Sequence, residues 1–164
     1  MPPGTPLGEI YTALRATLLA SPEFDSLLAR DVRSSLLPGL YTEGAVPDGA
    51  TMPYVTMGAA TQVPSHRMGS ATAARYGWDC TVQLKAVGLG RGEDENLAIL
   101  DCIGRELYDG RDLTAGASPG SPGLLITYAT AWCDEWVVQP TIVSLLNGVP
   151  IRETPAILRV QVHD

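Results

Sequence analysis

Apolar and polar positions alternate most strictly between Tyr76 and Ala86. Tyr76, Trp78, Cys80, Val82, Leu84 and Ala86 are separated by Gly77, Asp79, Thr81, Gln83 and Lys85. A repeat of two puts the first set on one side of an extended chain, so the spacing predicts a half-buried strand. Fully extended, this segment would be about twice the usual strand length, and one end is expected to project beyond its sheet as an arm together with residues 53–61. The run Pro53-Tyr54-Val55-Thr56-Met57 reads as its partner strand, preceded by a turn-rich stretch over 42–52 with Gly44, Pro47, Asp48 and Gly49. Residues 62–74 between the two read as a polar loop.

A repeat near 3.6 marks the helices. Leu7, Ile10, Tyr11, Leu14 and Leu18 predict one over 5–20, with Thr5 as its cap and Pro6 in the first turn. Ser21-Pro22-Glu23 starts a second, with Phe24, Leu27, Leu28 and Val32 on its apolar side and Pro38-Gly39 at its end. Glu93-Asp94-Glu95 opens a third, where acids favour the helix N-terminus. Its stripe is Leu97, Leu100, Ile103 and Leu107, widened by Ile99 and Cys102; Arg105 and Arg111 lie toward its other end. Gly104 in mid-helix costs about 1 kcal/mol relative to Ala, which predicts a close approach to a sheet. After the Gly- and Pro-rich loop 116–123, strands are expected over 124–133, 136–146 with a break at Pro140, and 156–163, the last with Leu158, Val160 and Val162 on one side.

Helices and strands come in blocks without repeated βαβ units. The expected fold is therefore a single α+β domain over 1–164, with a largely antiparallel β-sheet packed against helices and a projecting β-hairpin arm. The length of 164 residues and 45% apolar content suit one self-sufficient core. The net charge of −7 lies wholly in the second half, since residues 1–91 balance seven basic against seven acidic side chains. With Lys85 as the only lysine, docking to DNA or to an anionic membrane is disfavoured. The N-terminus lacks a signal-peptide layout, and no apolar run approaches the ~18 residues that span a bilayer, so a soluble protein is expected.

Candidate chemistry is sparse. Gly88-Leu89-Gly90-Arg91-Gly92 sits between a strand and a helix, where a phosphate loop would, but Glu93 replaces the third glycine of G-x-G-x-x-G and three acids crowd the helix start. A plain glycine turn fits better. Cys80, Cys102 and Cys133 form no C-x-x-C and read as reduced core thiols, and His66 and His163 stand in no recognisable nucleophile signature. Asp109, Asp112, Asp134 and Glu135 lack calcium-loop or zinc-site spacing. Neither a metal, a cofactor nor an enzyme activity is expected. Trp132 and Trp136, four apart on one strand, would share a face, as core residues first and as a ligand platform or subunit contact second.

A second pattern joins these segments. A turn with proline and small residues, Val46-Pro47-Asp48-Gly49-Ala50, precedes Pro53-Tyr54-Val55; a loop bearing His66-Arg67 follows; the alternating strand from Tyr76 to Ala86 runs directly to a helix; and a closing strand ends in His163-Asp164. This order resembles the tail terminator, or tail completion, proteins of bacteriophages with long non-contractile tails. Its sharper part runs from Val46 to Asp79, while the 116–123 loop and residues 134–150 are additional to the family pattern. The resemblance implies a homo-hexameric ring on the head-proximal end of the tail tube, assembled in the bacterial cytoplasm. That ring stops tube polymerisation and offers a surface to head–tail connector proteins, and DNA passes through it without specific binding.

On that reading the arm, residues 54–86, reaches a neighbouring subunit or the tail tube protein, with Tyr54, Met57, His66, Arg67, Met68 and Arg75 among the contacts. Heterologous contacts of this kind close into rings. Glu93, Asp94, Asp101 and Asp134 would face the channel, where acid keeps passing DNA from sticking. Other neck components, head–tail joining or head-closure proteins, are the alternative.

Overall fold

The computed structural model describes residues 6–28, 39–68, 75–89, 94–107 and 130–163. Within them the chain forms α1 (Pro6–Leu19), α2 (Pro22–Leu27), β1 (Leu40–Thr42), β2 (Tyr54–Met68), β3 (Arg75–Gly88), α3 (Asp94–Leu107), β4 (Thr130–Val138), β5 (Ile142–Leu146) and β6 (Val149–His163). The six strands make one open mixed sheet in the order β1-β2-β3-β6-β4, with β5 also on β6. Only β1 and β2 run parallel; every other pair is antiparallel. The α+β class follows, with the helices on a single face of the sheet.

The face is decided by the two patterns that alternate. Cys80, Val82, Leu84 and Ala86 of β3 and Ala156, Leu158, Val160 and Val162 of β6 are all fully buried, and β3 pairs with β6 from Gly77↔His163 to Gly88↔Arg152. Against them lie Ile10, Leu14 and Leu18 of α1, Phe24 of α2, and Ile99, Leu100, Cys102, Ile103 and Leu107 of α3. Burying such side chains contributes about 1.5–3 kcal/mol each before chain entropy is counted. The predicted start of α2 is realised in full: Pro22 occupies the first turn, and Ser21 Oγ accepts from the Phe24 N–H at 3.3 Å. The Thr5 cap, Val32 and Pro38 lie outside the described residues.

Four expectations change. Residues 62–68 are not loop but the second half of β2, disguised because register shifts after Gly58 and Pro64 break the alternation a strand would otherwise show. Leu97 is 41% exposed and leaves the α3 stripe, which instead begins at Asn96, 2% exposed. The β1 strand was not anticipated, since three residues carry no period. The closing strand begins at Val149 rather than 156, because Asn147-Gly148 forms a two-residue turn with φ of 52° and 79°, the conformation that makes Asn-Gly a hairpin former.

Candidate functional site

The sheet sends two-stranded ribbons out at opposite ends. At one end, β2 and β3 run on past the last β3–β6 pair, Gly77↔His163, as Arg67↔Tyr76 and Met68↔Arg75. An arm is present, but not with residues 53–61 as expected: Tyr54 to Gly58 pair with Val87 to Gln83 in the centre of the sheet, where β3 lies between β2 and β6. At the other end, β6 continues past Arg152, its last pair with β3, into the hairpin it forms with β5. A row of paired positions, Tyr54↔Val87↔Glu153↔Ile142, marks where this second ribbon leaves.

This geometry divides the predicted contact residues. Arg67, Met68 and Arg75 occupy backbone positions on the first ribbon, and His66 lies in the register shift beside it; their side chains and residues 69–74 lie outside the described set. Tyr54 lies near the opposite end of β2, roughly 40 Å away at ordinary strand rise. Its ring meets Tyr41 edge-on, with centroids 5.6 Å apart. Burial raises the Tyr54 hydroxyl above its usual range, with Glu153 and Tyr41 adding to the shift. Met57 is 3% exposed and paired with Leu84, so it is a core residue and cannot serve as a contact. The six residues therefore do not form one surface.

The proposed channel acids are separated as well. Glu93 is outside the described residues. Asp94 and Asp101 are exposed on α3, in the helical layer, and Asp101 accepts from Arg105 Nε at 3.1 Å. Arg105 also forms a two-pronged bridge to Glu23, at 2.7 and 3.2 Å, which ties α3 to α2. Asp134 lies across the sheet, where it pairs with Arg159 and accepts from Gln161 Nε2 at 3.2 Å. Both partners alternate with the buried Leu158, Val160 and Val162 and so occupy the helix-free face. Glu135 approaches the same Arg159 at 3.6 Å. The physical reason for the split is that α3 covers one side of the sheet while the β4 bulge turns Asp134 to the other. No common acidic lining results.

That bulge also corrects the tryptophan pair. The register passes from Cys133↔Val160 to Glu135↔Arg159, so Asp134 is an extra residue in β4. Trp136 pairs with Leu158, at a core-facing position, whereas Trp132 pairs with Gln161, at a register position of the other face. The spacing of four no longer keeps them together. Trp136 packs on the core beside Gly104: a Cβ there would stand 2.8 Å from its Nε1. The mid-helix glycine thus marks the close approach expected of it.

Asn96 is the structural centre that sequence reasoning missed. Its Nδ2 donates to the Ala86 and Arg152 carbonyls at 3.3 and 3.0 Å and to Thr154 Oγ1 at 3.1 Å, which in turn bonds Thr141 Oγ1 at 2.8 Å. One amide therefore fastens the start of α3 to β3 and β6 and, through Thr154, to the β4–β5 link. Gly88 has the same explanation, because a Cβ there would lie 2.8 Å from Asn96 Oδ1. No local pattern marks Asn96, because the apolar stripe is counted from Leu97 and the burial of position 96 is decided by distant strands. Residues 90–92 of the glycine turn lie outside the described set.

The thiols are not poised for chemistry. Burial pushes Cys133 up to about 12 and Cys80 up to about 11, the latter helped by Asp79; Cys102 is also raised, by burial first and then Glu23. Each is protonated at neutral pH, and a thiol attacks far more slowly than a thiolate. Unfolding releases them to ordinary values near 9. Stability from this source is thus complete below pH 9 and declines as pH rises toward 11–12, by about 1.4 kcal/mol per pH unit for each group inside its window. Urea midpoints should fall between pH 9 and 10.5, and a Cys80→Ala/Cys133→Ala double variant should show a shallower slope. Equal slopes would assign the alkaline loss to other groups.

Among the described residues, no group of three or more His, Cys, Asp or Glu side chains is arranged to hold a metal ion, and Asp109 and Asp112 lie outside them. No described helix is long and apolar enough to cross a membrane. No protein-family model and no curated protein matches the sequence. In fold, the chain is similar to a chain of a solved structure described as the virion of a native gene transfer agent (GTA) particle. That likeness covers 96% of both chains with a TM-score of 0.57 at 16% sequence identity. At this identity what is shared is the fold, from end to end.

Proposed function

We propose that this chain is a structural virion protein, without enzymatic activity or cofactor, which forms a ring on the head-proximal end of a phage tail tube. The observation that carries the structural role is the end-to-end likeness in fold to a chain of the gene transfer agent virion. The tail-terminating role rests on the sequence resemblance, and on a sheet with ribbons leaving both ends, a shape suited to contacts on either side of a ring. Its partners are then copies of itself, the tail tube protein and the head–tail connector proteins. The scarcity of basic residues suits a ring through which DNA passes without being held.

Electron microscopy of particles assembled without the protein tests this reading. Tails of uncontrolled length, unattached to filled heads, are the expected result. Tails of normal length beside separate heads would favour a head–tail joining or head-closure protein, and intact infectious particles would overturn the structural role.

A further inference from the structure

The β5–β6 ribbon is the least self-sufficient part of the described surface. All five residues of β5 are exposed, and four of them are large and apolar: Ile142 at 56%, Val143 at 55%, Leu145 at 71% and Leu146 at 54%, joined across the turn by Val149 at 48%. Successive strand residues point to opposite faces, so both faces of β5 are apolar. On β6 the charged Glu153 and Arg152 stand opposite Ile142 and Val143, and beyond them the ribbon carries no charge. No Asp, Glu, Lys or Arg occurs between Glu135 and Arg152. Among the described residues, β5 pairs only with β6, which leaves its outer edge open. Monomers guard such edges with charge or shortness, because an open apolar edge recruits other chains.

We infer that this ribbon is the contact by which the chain binds a second copy of itself. Two observations select that occupant. Each copy carries −7, so contact between copies is favoured at a patch without charge, and the end of this ribbon beyond Arg152 is such a stretch, held out at the end of the sheet. The five side chains expose roughly 500 Å² of apolar surface, so covering them buries roughly 1,000 Å² over both partners, the lower bound for a specific interface. The inference deepens the ring proposal by naming a surface for copy–copy contact. It does not require the ring to sit on a tail tube.

The test uses the full chain. Sedimentation velocity should show concentration-dependent association of the wild type. Ile142→Lys and Leu145→Lys, both exposed and therefore harmless to folding, should each weaken it at least about tenfold, with unchanged circular dichroism and melting. A photoreactive residue at position 145, in a mixture of isotopically light and heavy protein, should cross-link light chain to heavy chain. A wild type that stays monomeric at all concentrations would overturn the inference. So would lysine variants that associate normally, or cross-links confined to one chain. In particles, cross-links from position 145 only to a different protein would also overturn it while leaving the tail-terminating role intact. Normal particles lacking the protein would remove that role while leaving copy–copy cross-links of the free protein to stand.

Discussion

Replacing Asn96 by Asp is expected to destabilise the fold by about 3–5 kcal/mol at pH 7. The side chains are nearly identical in shape, so packing is not the cause. Asn96 Nδ2 faces the carbonyl oxygens of Ala86 and Arg152, and a carboxylate there would present lone pairs to lone pairs inside a site that is 2% exposed. The sign with pH follows. Burial raises the folded pKa of the new carboxyl above its unfolded value near 3.9, so the variant is least impaired below pH 4 and loses stability as pH rises. Asn96→Ala, which leaves three acceptors without this donor and introduces no charge, should cost less, about 2–3 kcal/mol. Urea titrations of the two variants at pH 4 and pH 7 check both magnitude and sign. An Asp variant within 0.5 kcal/mol of the wild type would mean that the amide does not hold α3 to the sheet.

Gly104→Val should cost about 3 kcal/mol, and even Gly104→Ala should destabilise, against the gain of about 1 kcal/mol that alanine brings to a helix interior. The added Cβ would stand 2.8 Å from Nε1 and 3.0 Å from Cδ1 of Trp136, a ring held between α3 and the edge of the sheet. Either the ring or the helix must move. Trp136→Leu vacates that space, so the Gly104→Ala/Trp136→Leu pair should be at least about 1 kcal/mol more stable than the sum of the single changes predicts. Thermal melts of the four proteins in the cycle measure this coupling. Strict additivity would show that helix and tryptophan do not constrain one another.

These two positions show where the sequence was legible. Gly104 was legible because its cost is local: a glycine inside a helical pattern needs a reason, and close approach is the commonest one. Asn96 was not, because its partners Ala86, Arg152 and Thr154 lie 10, 56 and 58 residues away. No local pattern records that a buried amide will meet three oxygens. The candidate contact set is divided for a related reason. Tyr54 and Arg67 are near in sequence, but an extended strand carries them to opposite ends of the sheet, and Met57 was drawn into the core by the same alternation that made the strand recognisable.

The sequence by itself determined the elements whose side chains repeat with a period: α1, α3, β3 and the second half of β6, together with the Ser21-Pro22 start of α2 and the α+β class. Each is set by which neighbours along the chain share a face, and that is local geometry. Tertiary structure alone decided that β6 lies between β3 and β4, that β1 joins parallel, and that bulges in β2 and β4 re-aim their side chains. It also decided that the chain ends its sheet in a ribbon whose far end is apolar and without charge. Strand order and register depend on pairings between distant segments, and a bulge erases the alternation through which a strand announces itself. Exposure, likewise, is fixed only when every other element has taken its place.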